Sequence, residues 1–211
     1  MTAHEEFKFE VTSDEGLFKN SDLAESSALK QAAVLVPLVR FDNEWHLLFI
    51  VRATNPADRH SGQVAFPGGR QDSSDASLEH TALRETAEEI GVNEQHIHVI
   101  GSLPAYVTVS HYAVTPVVAV MDWPQRLTLE PAEVASTLTL PVDWLKQRKN
   151  FSLRARSELD EQTSARHPVI VYQEKQGVVL WGATARITLN CLKAFSDGEL
   201  NVNPAVDVNF T

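Results

Sequence analysis

Three acidic residues crowd into one short stretch of the chain: Glu85, Glu88 and Glu89. The stretch 76–90 has the pattern of an amphipathic helix, and Gly91 follows as a C-cap. At 3.6 residues per turn the three carboxylates fall on one side of that helix. The opposite side carries apolar residues, which we expect to face the core: Ala76, Leu83, Ala87 and Ile90.

Crowded carboxylates repel one another, and acids in the second half of a helix oppose the helix dipole. A divalent cation would relieve both effects, because Mg²⁺ and Mn²⁺ favour oxygen ligands. A solvated acidic face, partly balanced by Arg84, explains the spacing equally well. The Gly68-Gly69 turn ahead of the helix and the position of Arg84 beside Glu85 favour the metal site.

The segment 66–92 resembles the Nudix box of the Nudix hydrolases, G-x5-E-x7-R-E-U-x-E-E-x-G-U, in which U is a bulky apolar residue. The matching positions are Gly69, Arg84, Glu85, Glu88, Glu89, Gly91 and Val92. The chain departs from the pattern in three ways. Asp75 stands for the first Glu, one extra residue separates it from Arg84, and Thr86 occupies the apolar position between the acids.

The resemblance implies a diphosphate hydrolase that uses Mg²⁺ or Mn²⁺. By it, the metal ligands are Glu85, Glu88, Glu89 and the Gly69 carbonyl, and Glu88 also counts with the catalytic residues. Arg84 would orient one of these carboxylates through a charge-assisted hydrogen bond. The resemblance further suggests Glu133 as a distal general base or extra ligand, with Glu130 as its rival.

The preceding segment 48–69 resembles the signature of the coenzyme A diphosphatase branch, LLTxRSx3Rx3Gx3FPGG. The extra spacer residue after Asp75 is also typical of that branch. The expected reaction is hydrolysis of the diphosphate of coenzyme A or its derivatives, which gives 3′,5′-ADP and a 4′-phosphopantetheine species. The substrate-binding candidates are Arg52, Arg59, Gly68 and Gly69. The two arginines could instead pair with acidic neighbours.

Two rival functions stay open. One is hydrolysis of ADP-ribose or another nucleoside diphosphate-linked compound. The other is a non-catalytic nucleotide-sensing module, which would be expected to lose the acids that this chain keeps. Cys191 lies on the apolar side of a predicted helix and is expected to be a core residue rather than a nucleophile.

Strands and helices alternate along the chain, which predicts an α+β fold, an α/β/α sandwich with a mixed sheet between helices. We expect an N-terminal extension over residues 1–30 with a short helix, a Nudix domain over 31–196 and a tail over 197–211. The strongest predicted strands cover 31–41, 45–51, 96–103 and 114–121. Residues 130–137 are expected to form a loop or short helix, residues 146–156 a basic polar segment, and 169–181 a hairpin.

The composition of the whole chain limits its partners. A net charge of −10 disfavours nucleic acid and anionic membranes as partners. A single cysteine excludes an internal disulfide, and no secretory leader or membrane-spanning run is evident, so we expect a cytoplasmic protein. The expected partner is therefore a small molecule. A homodimer is compatible with the sequence, which does not fix the oligomeric state.

Overall fold

The computed structural model describes residues 29–54, 61–154 and 168–200, and its elements alternate as predicted. The strands are β1 (Lys30–Phe41), β2 (Glu44–Arg52), β3 (Val64–Ala65), β4 (Gly68–Arg70), β5 (Ile97–Ser102), β6 (Tyr106–Val107), β7 (Tyr112–Met121), β8 (Val134–Pro141), β9 (Phe151–Arg154) and β10 (Val169–Tyr172). The helices are α1 (Leu78–Ile90), α2 (Val142–Leu145) and α3 (Gly182–Ser196). The predicted N-terminal helix, Arg59 and the end of the tail lie outside the described residues.

Strand β1 organises a mixed sheet formed by β1 to β8. It runs parallel to β7 along most of its length and antiparallel to two other strands. Its second half, Leu38–Phe41, pairs with β2 through a tight turn at Asp42 and Asn43, whose positive φ angles of 51° and 60° suit a two-residue hairpin. Its first half, residues 32–34, pairs instead with β4. The sheet therefore divides at β1, and the glycine strand β4 occupies the place that β2 leaves.

Alternate residues of the central strands pack on opposite faces of the sheet, as the two-residue period requires. On one face Leu35, Val39 and Ile50 pack with Ala82 and Ile90 of α1. The other face packs against α2 and α3, and its core residues include Val36, Leu38, Phe49, Ile187 and Cys191. Both faces of the sheet are thus covered by helices, which confirms the predicted sandwich. Cys191 is fully buried in this second core.

Helix α1 ends at the predicted C-cap Gly91, but it begins two residues later than expected, after the N-cap Ser77. The Ser77 hydroxyl accepts a hydrogen bond from the His80 N–H at 3.1 Å, and Gly91 closes the helix with a φ of 71°. The predicted inner face of the helix was right for Ile90, which is buried, and in part for Leu83, which packs at the margin of the core, but wrong for Ala76 and Ala87. Ala76 and Ala87 are exposed and Leu83 is half-buried. The residues that are buried on α1 are Thr81, Ala82, Thr86, Glu89 and Ile90.

The error has a physical cause. Periodicity arguments place charged residues in water, whereas here Glu89 lies at the centre of the buried face of α1. The departure at Thr86 is accommodated because its hydroxyl donates to the Ala82 carbonyl at 2.7 Å, one turn earlier. A buried hydroxyl that is satisfied within its own helix needs no other polar partner.

Two further predictions need correction. Residues 134–141, expected to begin as a loop or short helix, form β8, which pairs with β2 over most of its length. Strand β9 lies within the supposed basic polar segment and is the strand that pairs with β10. The expected hairpin partner at 178–181 forms no strand with β10 and pairs with it at an isolated bridge between Val171 and Trp181. The domain boundaries at residues 30 and 196 stay a prediction.

Candidate active site

The glycine strand brings backbone directly against the carboxylates of α1. At Gly69 a Cβ atom would lie 2.5 Å from the carboxylate carbon of Glu85, so any side chain there would displace the Glu85 carboxylate. Gly68 has a φ of 146°, and a Cβ there would lie 2.3 Å from the Ala33 carbonyl oxygen. The Gly68 N–H donates to Glu89 Oε2 at 2.8 Å. The two glycines thus let β4 pair with β1 on one side and contact two helix glutamates on the other.

Glu89 is the most deeply buried acid of the described residues at 2% exposure. Burial, together with the negative charges of Glu133 and Glu85, raises the pKa of Glu89 to about 7. The hydrogen bond from Gly68 and the positive charge of Arg52 act in the opposite direction. Burial likewise raises the pKa of Glu85, against the effect of its hydrogen bond from Arg84. Both carboxylates therefore carry a desolvation cost when ionised.

Arg84 is the hub of the polar contacts around α1. Its Nε and Nη2 donate to the two oxygens of Asp75, each at 2.9 Å. Nη2 also donates to Glu85 Oε1 at 3.0 Å, and Nη1 donates to Glu88 Oε2 at 3.0 Å. A final contact runs from Nη2 to the carbonyl of Arg70 in β4, at 3.2 Å. Arg84 therefore fixes two of the predicted ligands and ties the helix to the glycine strand.

Asp75, whose role the sequence left open, is the anchor of Arg84. Its side chain is buried and also accepts hydrogen bonds from the Thr81 hydroxyl and the Asp72 N–H, each at 2.9 Å. The paired Arg84 guanidinium holds the pKa of Asp75 well below its usual range. The motif acid at this position thus orients an arginine, and the arginine orients the glutamates.

Sequence reasoning missed this chain of contacts. Asp75 and Thr81 lie six residues apart, on either side of the N-cap Ser77, which is outside the three- and four-residue spacing at which helix side chains meet. The hydrogen bond from the Thr81 hydroxyl to Asp75 Oδ2 therefore depends on how the loop before α1 folds back on the helix.

The remaining predicted site residues, Arg52 and the rivals Glu133 and Glu130, lie at the split end of the sheet, where β2 and β4 separate along β1. Arg52 ends β2, where it pairs with Val134 at a register shift, and the Ala53 N–H donates to the Glu133 carbonyl at 2.8 Å. These contacts bring Arg52 and Glu133 to the edge occupied by Glu89, whose pKa both of them influence. Glu130 is also close through its backbone, because its N–H donates to the Glu89 carbonyl at 3.0 Å.

The predicted ligands differ in how they are presented. Glu85 and Glu89 lie together against β4, whereas the Glu88 side chain is 60% exposed and turned to Arg84. Among residues 29–54, 61–154 and 168–200 no three His, Cys, Asp or Glu side chains form a preformed cation cluster. The donor chemistry nevertheless fits a hard divalent cation. Two desolvated carboxylates repel one another and Glu133, and Glu89 forms no ion pair with a basic side chain of the described residues.

Comparison with known proteins identifies the class to which this fold and site belong. Residues 29–161 match the NUDIX domain family. Over 169 residues the chain is 37% identical to an uncharacterized Nudix hydrolase, NudL, of Pectobacterium atrosepticum, covering 80% of this chain and 84% of that protein. It is 35% identical over 158 residues to NudL of Enterobacter sp. strain 638, covering 75% and 79%. A solved Nudix hydrolase from M. Smegmatis, RenU, has a TM-score of 0.47 and 22% identity over 54% of this chain and 71% of that chain.

The chain belongs to the Nudix hydrolase family. It is an enzyme that acts on the diphosphate bond of a nucleoside diphosphate-linked substrate, and members of its family generally use divalent metal ions. In the part of the chain that the structure describes, no helix is long and apolar enough to cross a membrane.

Proposed function

We propose that this Nudix hydrolase cleaves the diphosphate of coenzyme A or its derivatives, giving 3′,5′-ADP and a 4′-phosphopantetheine species. The observation that carries the proposal is the position of Arg52. This arginine belongs to the segment that resembles the coenzyme A diphosphatase signature, and its charge acts on Glu89 at the split end of the sheet. A cation beside the carboxylate site suits a substrate with more negative charge than a simple nucleoside diphosphate.

Mg²⁺ or Mn²⁺ is the proposed cofactor, and it would be held by Glu85, Glu88, Glu89 and the Gly69 carbonyl. When bound, such an ion neutralises the diphosphate oxygens and lowers the pKa of water. The protein supplies the orientation: Arg84 fixes Glu85 and Glu88, and the Gly68 N–H fixes Glu89.

Glu133 is the proposed general base. Its negative charge raises the pKa of both Glu85 and Glu89, which is the effect expected of an acid that faces the same site. Glu130 has a different local role, since its Oε1 accepts a hydrogen bond from the Ala132 N–H at 3.2 Å and closes a turn. An exposed carboxylate at the mouth of the site keeps access to bulk water, which suits proton removal from an attacking water.

The two acids give a matched pair of variants. We expect Glu133→Gln to lower kcat by a factor on the order of 10² to 10⁴, the usual contribution of general acid–base catalysis. We expect Glu130→Gln to change kcat only a few-fold. Equal losses in the two variants, or a larger loss in Glu130→Gln, would exclude Glu133 as the base.

The substrate is tested by comparing kcat/KM for coenzyme A, an acyl-coenzyme A, ADP-ribose, NADH and a diadenosine polyphosphate, with Mg²⁺ and then Mn²⁺. Mass spectrometry should detect 3′,5′-ADP and 4′-phosphopantetheine. Much faster cleavage of ADP-ribose than of coenzyme A would favour the rival hydrolase. Absence of turnover with the whole panel would favour a nucleotide sensor, although that function leaves the desolvated pair Glu85 and Glu89 without a purpose.

A further inference from the structure

A buried arginine lies on the other face of the sheet from the glutamates of α1. Arg186 belongs to α3, between the core residues Ala185 and Ile187, and is only 8% exposed. Its Nη1 atom is wholly buried and has no hydrogen-bond partner among the residues that the structure describes. Burial lowers the pKa of Arg186, and the only neighbouring titratable group of the described residues that opposes this effect is Tyr106.

An unpaired, buried guanidinium lowers the stability of the folded protein. Desolvating a charged group without a counter-ion costs far more than any packing of its methylene stem returns. The cost falls when an anion with several acceptor oxygens binds, because the planar guanidinium matches phosphate with two parallel hydrogen bonds. The described part of the chain offers no carboxylate that pairs with Arg186, so the complementary anion is expected to come from a ligand.

The position of Arg186 is tied to the catalytic strands. Two residues earlier on α3, the Thr184 hydroxyl donates to the Val64 carbonyl in β3 at 3.1 Å. Strand β3 leads within three residues to the glycine strand β4. The start of α3 is therefore fixed against the chain segment that carries the glycines of the site.

Tyr106 lies in the same row of paired residues across the sheet as the glycine strand β4. In β6 it pairs with Val114 of β7, which pairs with Ala32 of β1, which in turn pairs with Arg70 of β4. Tyr106 and Val114 pack against the core of the α3 face but are only partly buried, so among the described residues this row of strands is incompletely covered on that face. Arg186 and Tyr106 thus flank a partly open surface level with the glycine strand.

We infer that Arg186, assisted by the Tyr106 hydroxyl, binds the phosphate monoester that the substrate carries outside its diphosphate, the 3′-phosphate of coenzyme A. The inference rests on the proposed function, because ADP-ribose has no such group. The two arginines would then have different roles. Arg52 acts at the end of the site near Glu89, and Arg186 selects the substrate by its additional phosphate.

The test compares coenzyme A with 3′-dephospho-coenzyme A in wild type, Arg186→Met and Arg186→Lys. We expect Arg186→Met to lower kcat/KM for coenzyme A on the order of 10- to 100-fold, the loss of a charge-assisted hydrogen-bond pair. The value for the dephospho compound should stay within a few-fold. Arg186→Lys should recover part of the loss, since it keeps the charge without the planar fork. Tyr106→Phe should give a smaller loss with the same selectivity.

Arg154→Met is the matched control. It removes an exposed arginine of β9 and should leave kcat/KM unchanged for both coenzyme A compounds. Calorimetric binding of 3′,5′-ADP and of 5′-AMP to metal-free protein gives a second measurement: wild type should prefer 3′,5′-ADP, and Arg186→Met should lose the preference. If Arg186→Met instead weakens cleavage of both coenzyme A compounds equally, Arg186 has a structural role and the inference fails while the proposed function stands. A wild type that cleaves ADP-ribose but neither coenzyme A compound overturns both.

Discussion

The substitution Glu89→Gln tests how much the buried, ionised carboxylate of Glu89 lowers the stability of the metal-free protein, apart from its part in catalysis. In the folded protein burial raises the pKa of Glu89 from 4.5 to about 7. An acid with a higher pKa in the folded state binds more protons folded than unfolded. Without metal, its contribution to stability is therefore greatest at low pH and is lost as the pH rises from about 4.5 through 7.

The size of this effect follows from the two pKa values. A difference of roughly 2.5 units at about 1.36 kcal/mol per unit amounts to about 3 kcal/mol at pH 8. Glutamine keeps an acceptor oxygen for the Gly68 N–H and removes the charge. In EDTA, Glu89→Gln should thus be more stable than wild type by about 3 kcal/mol at pH 8, or about 6 to 12 °C in Tm, and nearly equal to it at pH 4.5.

Urea unfolding of the two proteins in EDTA, at pH values from 4.5 to 8.5, measures the difference directly. Added Mn²⁺ or Mg²⁺ should stabilise wild type and have little effect on the variant, which should also lose hydrolysis. Glu79→Gln, an exposed acid of the same helix, is the control and should show no such pH dependence. A stability difference that is constant with pH, or a variant less stable than wild type at pH 8, would refute the conclusion that burial raises the pKa of Glu89.

Two further substitutions test the support of the site. Gly69→Ala places a Cβ 2.5 Å from the Glu85 carboxylate and should abolish detectable turnover. Gly101→Ala, away from the site, is the control and should leave turnover within a few-fold of wild type. Equal activity of the two variants would contradict the close approach of the Gly69 backbone to Glu85. Arg84→Lys cannot reproduce the two parallel hydrogen bonds to Asp75, so metal affinity, measured by Mn²⁺ titration, should fall on the order of 10- to 100-fold, and an unchanged affinity would mean that the arginine does not orient the ligands.

The local spacing of residues was enough to predict much of this protein. The C-cap of α1 and the apolar runs of β1 and β7 are local signals, because they depend on neighbours within a few residues. The motif around Arg84 is local too, since its glutamates lie within two turns of one helix. These features gave the family and the sandwich architecture without coordinates.

Strand β8 was missed for the opposite reason. Its residues alternate between threonine and leucine near its end, but only two of its eight residues are fully buried, and its pairing partner β2 lies far away in the sequence. Only that pairing makes the segment a strand, and the same pairing brings Glu133 to Glu89.

Tertiary contacts also decided which way the acidic helix faces. Sequence periodicity assigned Leu83 and Ala87 to the core and placed the glutamates on the opposite side of the helix, as a metal site or a solvated face. The packing of β4 against α1 reverses this for Glu89, since glycine backbone can approach a carboxylate that a side chain would exclude. The sequence by itself thus determined the set of acids and their spacing. The tertiary structure decided that one of them is desolvated, which is the physical condition for its unusual pKa.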